Sequence, residues 1–475
     1  MFRSFRTRLA LIVAAGLAVR WIAVAVHYRK LSPPPADLTD NTWYWLGAKL
    51  LAQGDGFANP IYWWRDGVIQ HSAGHPPLYT AYLGVFSWLG LDTPLSMRLA
   101  SGLLGAACVF VVGLVARRIG GSDRAGLLAA AFAAIYPNLW INDGLILSES
   151  MYALLVAAML WASYRLIDHP SVGRAAVLGL IVGLGLLTRS ETQLLLLVLL
   201  VPVALWCCRR ERWPQRIKVL AVSGLVAGLV ASPWVIKNLT SFEHPVVIAI
   251  GAGFTAEVGN CDDTYSGDLL GYWSDRCGSG WAEVGTEGCR EVQRNGPGTP
   301  PDQRGETSLV CDESVIEQIK RERAVDYISE HKDRLPVVVA ARIGRIWNIY
   351  RPMQGVNLDV LFERRGAFPA RAALWTYYLF GALAVVGAVA AWRRKVTLVP
   401  LLAFVVAVTF TAASTFGITR YRIGAEVVWV VLAGVGVDWL WSRWRSRRND
   451  DTTQPTSSDS AIAAESASPT SAVPR

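Results

Sequence analysis

The stretch LALIVAAGLAVRWIAVAV, residues 9–26, contains a single charged side chain. A helix that crosses the ~30 Å of hydrocarbon in a bilayer needs about 20 mostly apolar residues. A signal peptide is the alternative for an apolar segment this close to an N-terminus, but this one is long and no small-residue cleavage site follows it. We therefore predict that residues 9–26 form a membrane-spanning helix.

Nine further apolar blocks follow the first one, and they are continuous runs rather than amphipathic stripes. They are Leu99–Ala116, Ala125–Ile141, Met151–Leu166, Ala175–Leu187, Leu194–Trp206, Ile217–Ile236, Ala372–Ala391, Val396–Phe416 and Ile423–Trp441. Of the 475 residues, 52% are hydrophobic and 17% are charged, whereas a soluble protein carries about a quarter charged residues. The predicted fold class is an all-α polytopic membrane protein with about ten transmembrane helices.

The basic residues indicate how these helices are oriented, and they account for the net charge of +9 without a nucleic-acid partner. Lys and Arg accumulate in cytoplasmic loops. With ten spans and a cytoplasmic N-terminus, every basic cluster falls inside: Arg3–Arg8, Arg117–Arg124, Arg165–Arg174, Arg209–Lys218, Arg393–Lys395 and Arg443–Arg448. We predict that both termini are cytoplasmic, and the excess of Arg over Lys favours a bacterial plasma membrane.

This orientation divides the chain into four predicted parts. Residues 1–237 form a transmembrane core whose first extracytoplasmic loop, 27–95, is dense in Asp and Trp. Residues 238–371 form an extracytoplasmic, loop-rich lobe, which includes helices near the membrane surface. Residues 372–444 form the last transmembrane helices, and the Ser/Thr/Ala/Pro-rich residues 445–475 are predicted to be a disordered cytoplasmic tail.

Four of the seven cysteines lie in the lobe, where an oxidising compartment permits disulfides. They are Cys261, Cys277, Cys289 and Cys311. Two disulfides with three possible pairings are expected. A four-cysteine zinc site is the alternative, but the spacings lack the short Cys-x2-4-Cys pairs of such sites. We predict no metal centre.

A set of motifs resembles the GT-C glycosyltransferases, in the branch of the protein O-mannosyltransferases and the lipid A aminoarabinose transferases. In the first outer loop the motifs are Asp40-x3-Tyr44-x3-Ala48, Gly54-Asp55-Gly56-Phe57 and His75-Pro76-Pro77-Leu78-Tyr79. Later matches are Tyr136-Pro137, Ser148-Glu149-Ser150, Leu187-Thr188-Arg189, Pro233-Trp234-x2-Lys237-Asn238, Gly259-Asn260 and Arg420-Tyr421-Arg422. Residues 261–335 match no part of the family.

The resemblance implies an inverting transfer of a hexose or pentose from a polyprenyl-phosphate-linked donor. The acceptor is expected to be an extracytoplasmic cell-envelope glycan, lipid or protein. No cofactor is implied, and a divalent cation is left open. The implied general base is a carboxylate of the first outer loop, which points to Asp40, with Asp37 as the backup because Asn41 stands where a second acid is often found.

Asp40, Tyr44 and Glu149 are therefore the candidate catalytic residues. Asp40 and Tyr44 are four residues apart and share one helical face. A positioned carboxylate can take the proton of an attacking hydroxyl. The competing interpretations are that Asp40 only caps a helix and that Glu149 is only an acid favoured at a helix start.

Five cationic or ionisable residues at the predicted outer face are candidates for binding the donor phosphate, a role that favours Arg. They are His75, Arg189, Lys237, Arg420 and Arg422. Other interpretations stay open: Arg189 could pair structurally with Glu191, His75 could simply cap a helix, and the other three cations could anchor helices at the interface.

Two other functions remain open, a non-enzymatic lipid or glycan transporter and a catalytically dead envelope scaffold. A transporter requires ionisable residues deep inside several spans. Nearly all ionisable residues of this chain lie at the predicted span ends, which favours an outward-facing enzyme site.

Overall fold

The computed structural model describes residues 4–28, 39–209, 213–278 and 286–453. The membrane core consists of α1 (Phe5–Ala23, continued by the π-helical turn Val24–Tyr28), α2 (Asp40–Gln53), α3 (Pro60–Asp66), α4 (Pro77–Trp88), α5 (Pro94–Gly120), α6 (Asp123–Ile135), α7 (Pro137–Leu145), α8 (Glu149–Asp168), α9 (Val172–Leu186), α10 (Ser190–Cys207, of mixed helical geometry) and α11 (Trp213–Ser241). The lobe contains α12 (Ala252–Gly259), α13 (Asp262–Tyr265), β1 (Cys289–Gln293), β2 (Thr307–Cys311), α14 (Glu313–Glu330), α15 (Leu335–Ile346) and α16 (Pro352–Leu361). The chain then forms α17 (Ala367–Arg393), α18 (Val399–Ser414) and, after the 3₁₀ turn Thr419–Arg422, α19 (Ile423–Thr453).

All ten predicted apolar blocks are helical, but not all of these helices are long enough to span a membrane. In the described part of the chain, seven helices pass by length and composition, and α6 with α7 makes an eighth if this pair, bent by 44°, is one span. The helices α9 and α18 are apolar but shorter, with 15 and 16 residues. The protein is therefore a multi-pass membrane protein whose described residues contain seven or eight full-length spans, and the predicted number of ten is not confirmed.

The last helix, α19, lies at the centre of the bundle, and small residues bring its neighbours close to it. A Cβ on Gly387 of α17 would collide with the carbonyl oxygen of Leu432. A Cβ on Gly434 would lie 2.6 Å from the Cβ of Ala129 in α6. Because both positions require Gly, α17 and α6 approach α19 closely, and the turn that precedes α19 is held at one end of the core.

The short helices of the first outer loop lie beside the bundle and do not cross it. Helix α4 begins at Pro77, where Pro suits the first helical position, and ends at Trp88. At about 1.5 Å per residue its 12 residues extend roughly 18 Å, which is too short to span the hydrocarbon. It packs against α2.

The lobe contains the two predicted disulfides. The pairs are Cys261–Cys277 and Cys289–Cys311, one of the three possible arrangements. Strands β1 and β2 form an antiparallel hairpin in which Cys289 lies opposite Cys311. The zinc interpretation is wrong, because all four cysteines are oxidised in pairs, and no metal-ligand group occurs among the described residues.

Helix α14 begins at Glu313, and the Asp312 carboxylate caps it by accepting a hydrogen bond from the Ser314 amide at 2.8 Å. At the other end of the chain, α19 continues to Thr453. The predicted tail from residue 445 is therefore helical as far as that residue, and residues 454–475 lie outside the described part.

Candidate active site

Asp40 is the first residue of α2, and its carboxylate is directed away from the helix backbone. One oxygen accepts a hydrogen bond from the Arg420 guanidinium at 2.5 Å, and the other lies 3.4 Å from Nε2 of His75. The cap position belongs to Thr39, whose hydroxyl donates to the Asn41 side chain. Asp40 therefore does not act as a helix cap, and its side chain is 34% exposed.

Two aromatic rings of α2 hold His75 next to Asp40. The His75 ring lies 4.8 Å from the Tyr44 ring, centroid to centroid, and it meets the Trp43 ring edge-on at 5.6 Å. Gly74 is required here, because a Cβ at this position would lie 2.6 Å from the Trp43 ring. Since Tyr44 is buried one turn after Asp40, it fixes His75 on the helical face that carries the carboxylate.

Arg420 is shared by three carboxylates. Besides Asp40 it donates to the fully buried Glu149 at the start of α8, and its Nη1 lies 3.4 Å from Glu363, just after α16. These carboxylates come from three distant parts of the chain. Arg420 therefore connects the first outer loop, the membrane core and the end of the lobe.

Arg189 completes the cluster from the connection between α9 and α10. Its Nη1 lies 2.6 Å from Glu149 Oε1, and its Nε donates to Glu191. Its guanidinium also lies over the Tyr421 ring, 5.6 Å from the centroid. The Arg189–Glu191 pair expected as a structural alternative is present, but Glu149 links it to Arg420.

These contacts define a single group, which we call the Asp40 cluster. It consists of Asp40, His75, Glu149, Arg189, Glu191, Glu363 and Arg420. Four carboxylates thus face two guanidiniums, so the cluster is negative whenever all its carboxyl groups are ionised and its imidazole is neutral. A further positive charge, a proton or a rearrangement is needed before an anion can bind here.

The carboxyl groups at the exposed side of the cluster differ in their pKa values. Burial opposes the ionisation of Asp40, but Arg420 and then His75 outweigh it and hold the pKa of Asp40 well below its usual value. Burial also acts on Glu363, and there it dominates, so the pKa of Glu363 is raised although Arg420 opposes the effect. Asp40 is thus the anion of this pair at neutral pH, and Glu363 is the group that protonates more readily.

Two of the predicted residues do not join the cluster, and a third lies outside the described residues. Arg422 is fully buried, and its guanidinium donates to Glu426 and to the Ile346 carbonyl, both at 2.6 Å. Lys237 lies over the Phe57 ring at 5.8 Å, and no contact within the described part of the chain connects it to Asp40. Asp37 lies outside the described residues.

Glu363 is the member of the cluster that sequence reasoning missed. It lies in the lobe, beyond the motifs of the resemblance, and follows α16 in the run Phe362-Glu363-Arg364-Arg365. A charged run directly after a helix and shortly before a membrane span was the available signal. This signal indicated a position near the membrane interface, but it did not identify Arg420 as the partner of Glu363.

The ionisable residues also depart from the expectation that nearly all lie at span ends. Arg20 of α1 and Asp143 of α7 form an ion pair at 2.9 Å, and both side chains are buried. Arg20 also donates to backbone carbonyls of α6, at Ala133 and Ala134. Because each charge has a fixed partner, this pair joins α1, α6 and α7.

The lobe holds the first outer loop through a buried acid at the start of α14. Glu313 accepts hydrogen bonds from the Asn59 amide at 2.6 Å, the Ser72 hydroxyl at 2.8 Å and the Ala73 amide at 3.3 Å. Burial raises the pKa of Glu313 to about 7, although these hydrogen bonds oppose the shift. The segment that leads to His75 is thus fixed by a residue that the resemblance did not reach.

Comparison with known proteins shows that part of this chain is similar to one family. Residues 74–236 match the family described as dolichyl-phosphate-mannose-protein mannosyltransferase. A stretch of 157 residues is 30% identical to undecaprenyl phosphate-alpha-4-amino-4-deoxy-L-arabinose arabinosyl transferase 1 of Pseudomonas fluorescens (strain Pf0-1). This match covers 30% of this chain and 26% of that protein, so the chain spans about a quarter of its relative.

Solved structures resemble the chain over most of its length at low sequence identity. The apo oligosaccharyltransferase of Archaeoglobus fulgidus is 13% identical with a TM-score of 0.46, over 94% of this chain and 52% of that one. Apo ArnT from Cupriavidus metallidurans is 15% identical with a TM-score of 0.35, over 89% and 78% of the two chains. The matches thus show that residues 74–236 of this chain are similar to a family of membrane glycosyltransferases, and the remainder of the chain is not part of that match.

Proposed function

We propose that this protein transfers a hexose or pentose, with inversion, from a polyprenyl-phosphate-linked donor to an acceptor outside a bacterial plasma membrane. Both the matched family and the matched relative are named after a sugar that is linked to a polyprenyl phosphate. The observation that carries the proposal is the Asp40–Arg420 pair, which joins residues 380 positions apart. It places a partly exposed carboxylate next to a guanidinium at the same end of the bundle.

Arg420 and Arg189 are the proposed binders of the donor phosphate. Both guanidiniums can hold a phosphate by two parallel hydrogen bonds. They already share Glu149, and protonation of Glu363, whose pKa is raised, would reduce the excess negative charge before the phosphate binds. The proposal leaves out Arg422 and Lys237, because the structure gives their side chains other partners.

Asp40 is the proposed general base. Its carboxylate takes the proton of the acceptor hydroxyl while that oxygen forms a bond to the anomeric carbon of the sugar. The bond between the anomeric carbon and the phosphate oxygen breaks, and the polyprenyl phosphate leaves with the electron pair. Attack opposite to the leaving group inverts the anomeric centre, and the guanidiniums stabilise the phosphate charge.

The shared guanidinium couples the two roles. While Arg420 holds Asp40, the carboxylate is a weak base, because its pKa is depressed. A donor phosphate competes for the same guanidinium, and any loosening of the Asp40 contact raises the pKa of Asp40. Donor binding thus prepares the base. His75, fixed by Tyr44, remains as the second contact that orients the carboxylate.

Replacement of Asp40 by Asn tests the proposal. Asn keeps the size of the side chain and removes the proton acceptor, so sugar transfer should fall by roughly 10²–10⁴-fold. Binding of the polyprenyl-phosphate sugar should survive. The matched control is Asp92→Asn, because Asp92 pairs with Lys49 at 3.1 Å near the same helix and outside the cluster.

The assay separates the proposal from its alternatives. A transporter would move the lipid-linked sugar without forming a glycosidic bond, and a scaffold would show no turnover. If purified Asp40→Asn transfers sugar at the wild-type rate, Asp40 is not the base, and Asp37→Asn and Glu149→Gln then identify which other carboxylate is.

A further inference from the structure

A second charged site lies at the opposite end of the membrane helices from the Asp40 cluster. It is a groove of about 760 Å³ between α5, α8 and the start of α9. Its walls include Leu114, Arg117, Arg118, Trp161, Arg165 and Arg174, and we call it the basic groove. The proposed transfer reaction does not use any of these residues.

Helix α8 fixes the distance between the two sites. It begins at Glu149 in the Asp40 cluster and ends at Asp168, which lines the basic groove. At about 1.5 Å per residue the helix is roughly 30 Å long, which is the thickness of the hydrocarbon layer. The groove therefore lies at the depth of lipid headgroups on the other face of the membrane.

The arginines of the groove are only partly neutralised. Arg117 pairs with Asp123 at 2.7 Å, and Arg118 donates two hydrogen bonds to Asp168. Arg165 and Arg174 have no ion pair with any carboxylate in the described part of the chain.

These two unpaired guanidiniums are held at the rim of the groove. Arg165 lies over the Trp161 ring, 5.2 Å from its centroid. Arg174 donates to the backbone carbonyl of His169. Both side chains retain N–H groups for a ligand, and Trp161 and Leu114 provide apolar surface beside them.

We propose that the basic groove binds the phosphate headgroup of an anionic phospholipid. Basic pockets between transmembrane helices at the cytoplasmic face suit such headgroups. Guanidiniums can bind a phosphate by paired hydrogen bonds, and the wall formed by Trp161 and Leu114 can lie against the acyl chains. The alternative is that these arginines only orient the helices, because positive residues accumulate at the cytoplasmic face. That alternative explains the charge but does not explain a concave surface with an apolar wall.

Native mass spectrometry of the full-length protein in mild detergent tests this inference. The probes are phosphatidylglycerol, phosphatidylethanolamine and inorganic phosphate. Phosphatidylglycerol should bind at least about tenfold more tightly than phosphatidylethanolamine, and equimolar inorganic phosphate should not displace it. The double variant Arg165→Gln/Arg174→Gln should weaken phosphatidylglycerol binding by about tenfold or more, since it removes two charge-assisted donors.

Arg209→Gln is the matched control. Arg209 also lies over a tryptophan ring, that of Trp206, at 4.6 Å, but it does not line the groove. The Arg209→Gln variant should bind phosphatidylglycerol as tightly as the wild type does. The single variants at Arg165 and Arg174 replace the double variant if its unfolding temperature is lowered.

Three results would overturn the inference. One is wild-type lipid affinity in the Arg165 and Arg174 variants. Another is an equal loss of affinity in Arg209→Gln, which would indicate a diffuse surface charge. The third is displacement by equimolar inorganic phosphate, which would identify a site for the free ion.

Discussion

Arg420 and Arg422 are separated by one residue in the same 3₁₀ turn, yet their surroundings differ in kind. Arg422 is fully buried, pairs with the single carboxylate of Glu426 and stacks over the Tyr377 ring at 3.7 Å. Arg420 faces three carboxylates, one of which, Asp40, is partly exposed. The Arg422 site has balanced charges and is closed, whereas the Arg420 site is open and has excess negative charge.

The difference indicates which of the two sites is open to a ligand. Glu426 also accepts hydrogen bonds from Tyr136 and from Asn138, so the Arg422 site is satisfied within the protein. A buried pair of this kind fixes the packing of helices and is costly to break. The Arg420 site has excess negative charge within the protein, so a proton, a positive charge or a rearrangement must accompany the donor phosphate when it binds there.

The largest expected effect is on stability, from Arg422→Gln. The change leaves Glu426 buried without its counter-ion, which costs about 3–5 kcal/mol of unfolding free energy. Thermal unfolding in detergent measures it, and transfer per folded molecule should stay near the wild-type rate. The double variant Arg422→Gln/Glu426→Gln removes both charges and should recover most of the loss. Weak donor binding in a well-folded Arg422→Gln protein would instead place Arg422 in the active site.

Arg420→Gln should have the opposite effects: it should weaken donor binding and change stability little. Loss of a charge-assisted contact to the donor phosphate costs about 1.5–3 kcal/mol, or roughly ten- to a hundredfold in donor affinity. The unfolding temperature should change little, because Arg189 still neutralises Glu149. The matched control is Arg294→Gln in the lobe, since Arg294 pairs with Glu306 at 3.3 Å. Unchanged donor kinetics in Arg420→Gln would exclude it as the phosphate binder.

Glu313 lies in a third kind of environment. It is a buried acid that accepts hydrogen bonds and has no ion pair among the described residues. Its pKa is about 7 in the folded protein, against about 4.3 in an unfolded chain. Between these values the folded state holds a proton that the unfolded state has released. Stability should therefore fall as pH rises from about 4.3 to 7, by at most about 1.4 kcal/mol per pH unit.

Unfolding temperatures of wild type and Glu313→Gln at pH 5, 6 and 7 measure this dependence. The wild type should lose more stability with rising pH than the variant does. Equal slopes in the two proteins would show that Glu313 does not titrate in this range.

The smallest effect, and one of opposite sign to Arg420→Gln, is expected for Glu363→Gln. It removes one carboxylate that competes for Arg420, so donor affinity should rise. Partly exposed ion pairs contribute about 0.2–1 kcal/mol, which corresponds to roughly a 1.4- to fivefold gain. Glu306→Gln is the control, because its pair with Arg294 has nearly the same length. A lower donor affinity in Glu363→Gln would mean that this carboxylate binds substrate directly.

The helices and the location of the site could be read from the sequence because both depend on local patterns. The apolar blocks became helices, and the loop that contains Asp40 and His75 became one side of the cluster. The disulfides could be predicted as a set, since four cysteines shared one segment. Their pairing could not, because it depends on which backbone segments meet, as in the hairpin that places Cys289 opposite Cys311.

The sequence by itself determined that this is a helical membrane protein, which segments form apolar helices and that Asp40 lies at the start of a helix. Only the tertiary structure decided that Arg420 faces Asp40 while Arg422 is buried in the core. It also decided that Glu363 contacts Arg420. The physical reason is the distance along the chain over which each interaction acts. Hydrophobicity and helix periodicity act over about 20 residues, whereas the partner of a charge is set by how α2, α8 and the turn before α19 come together.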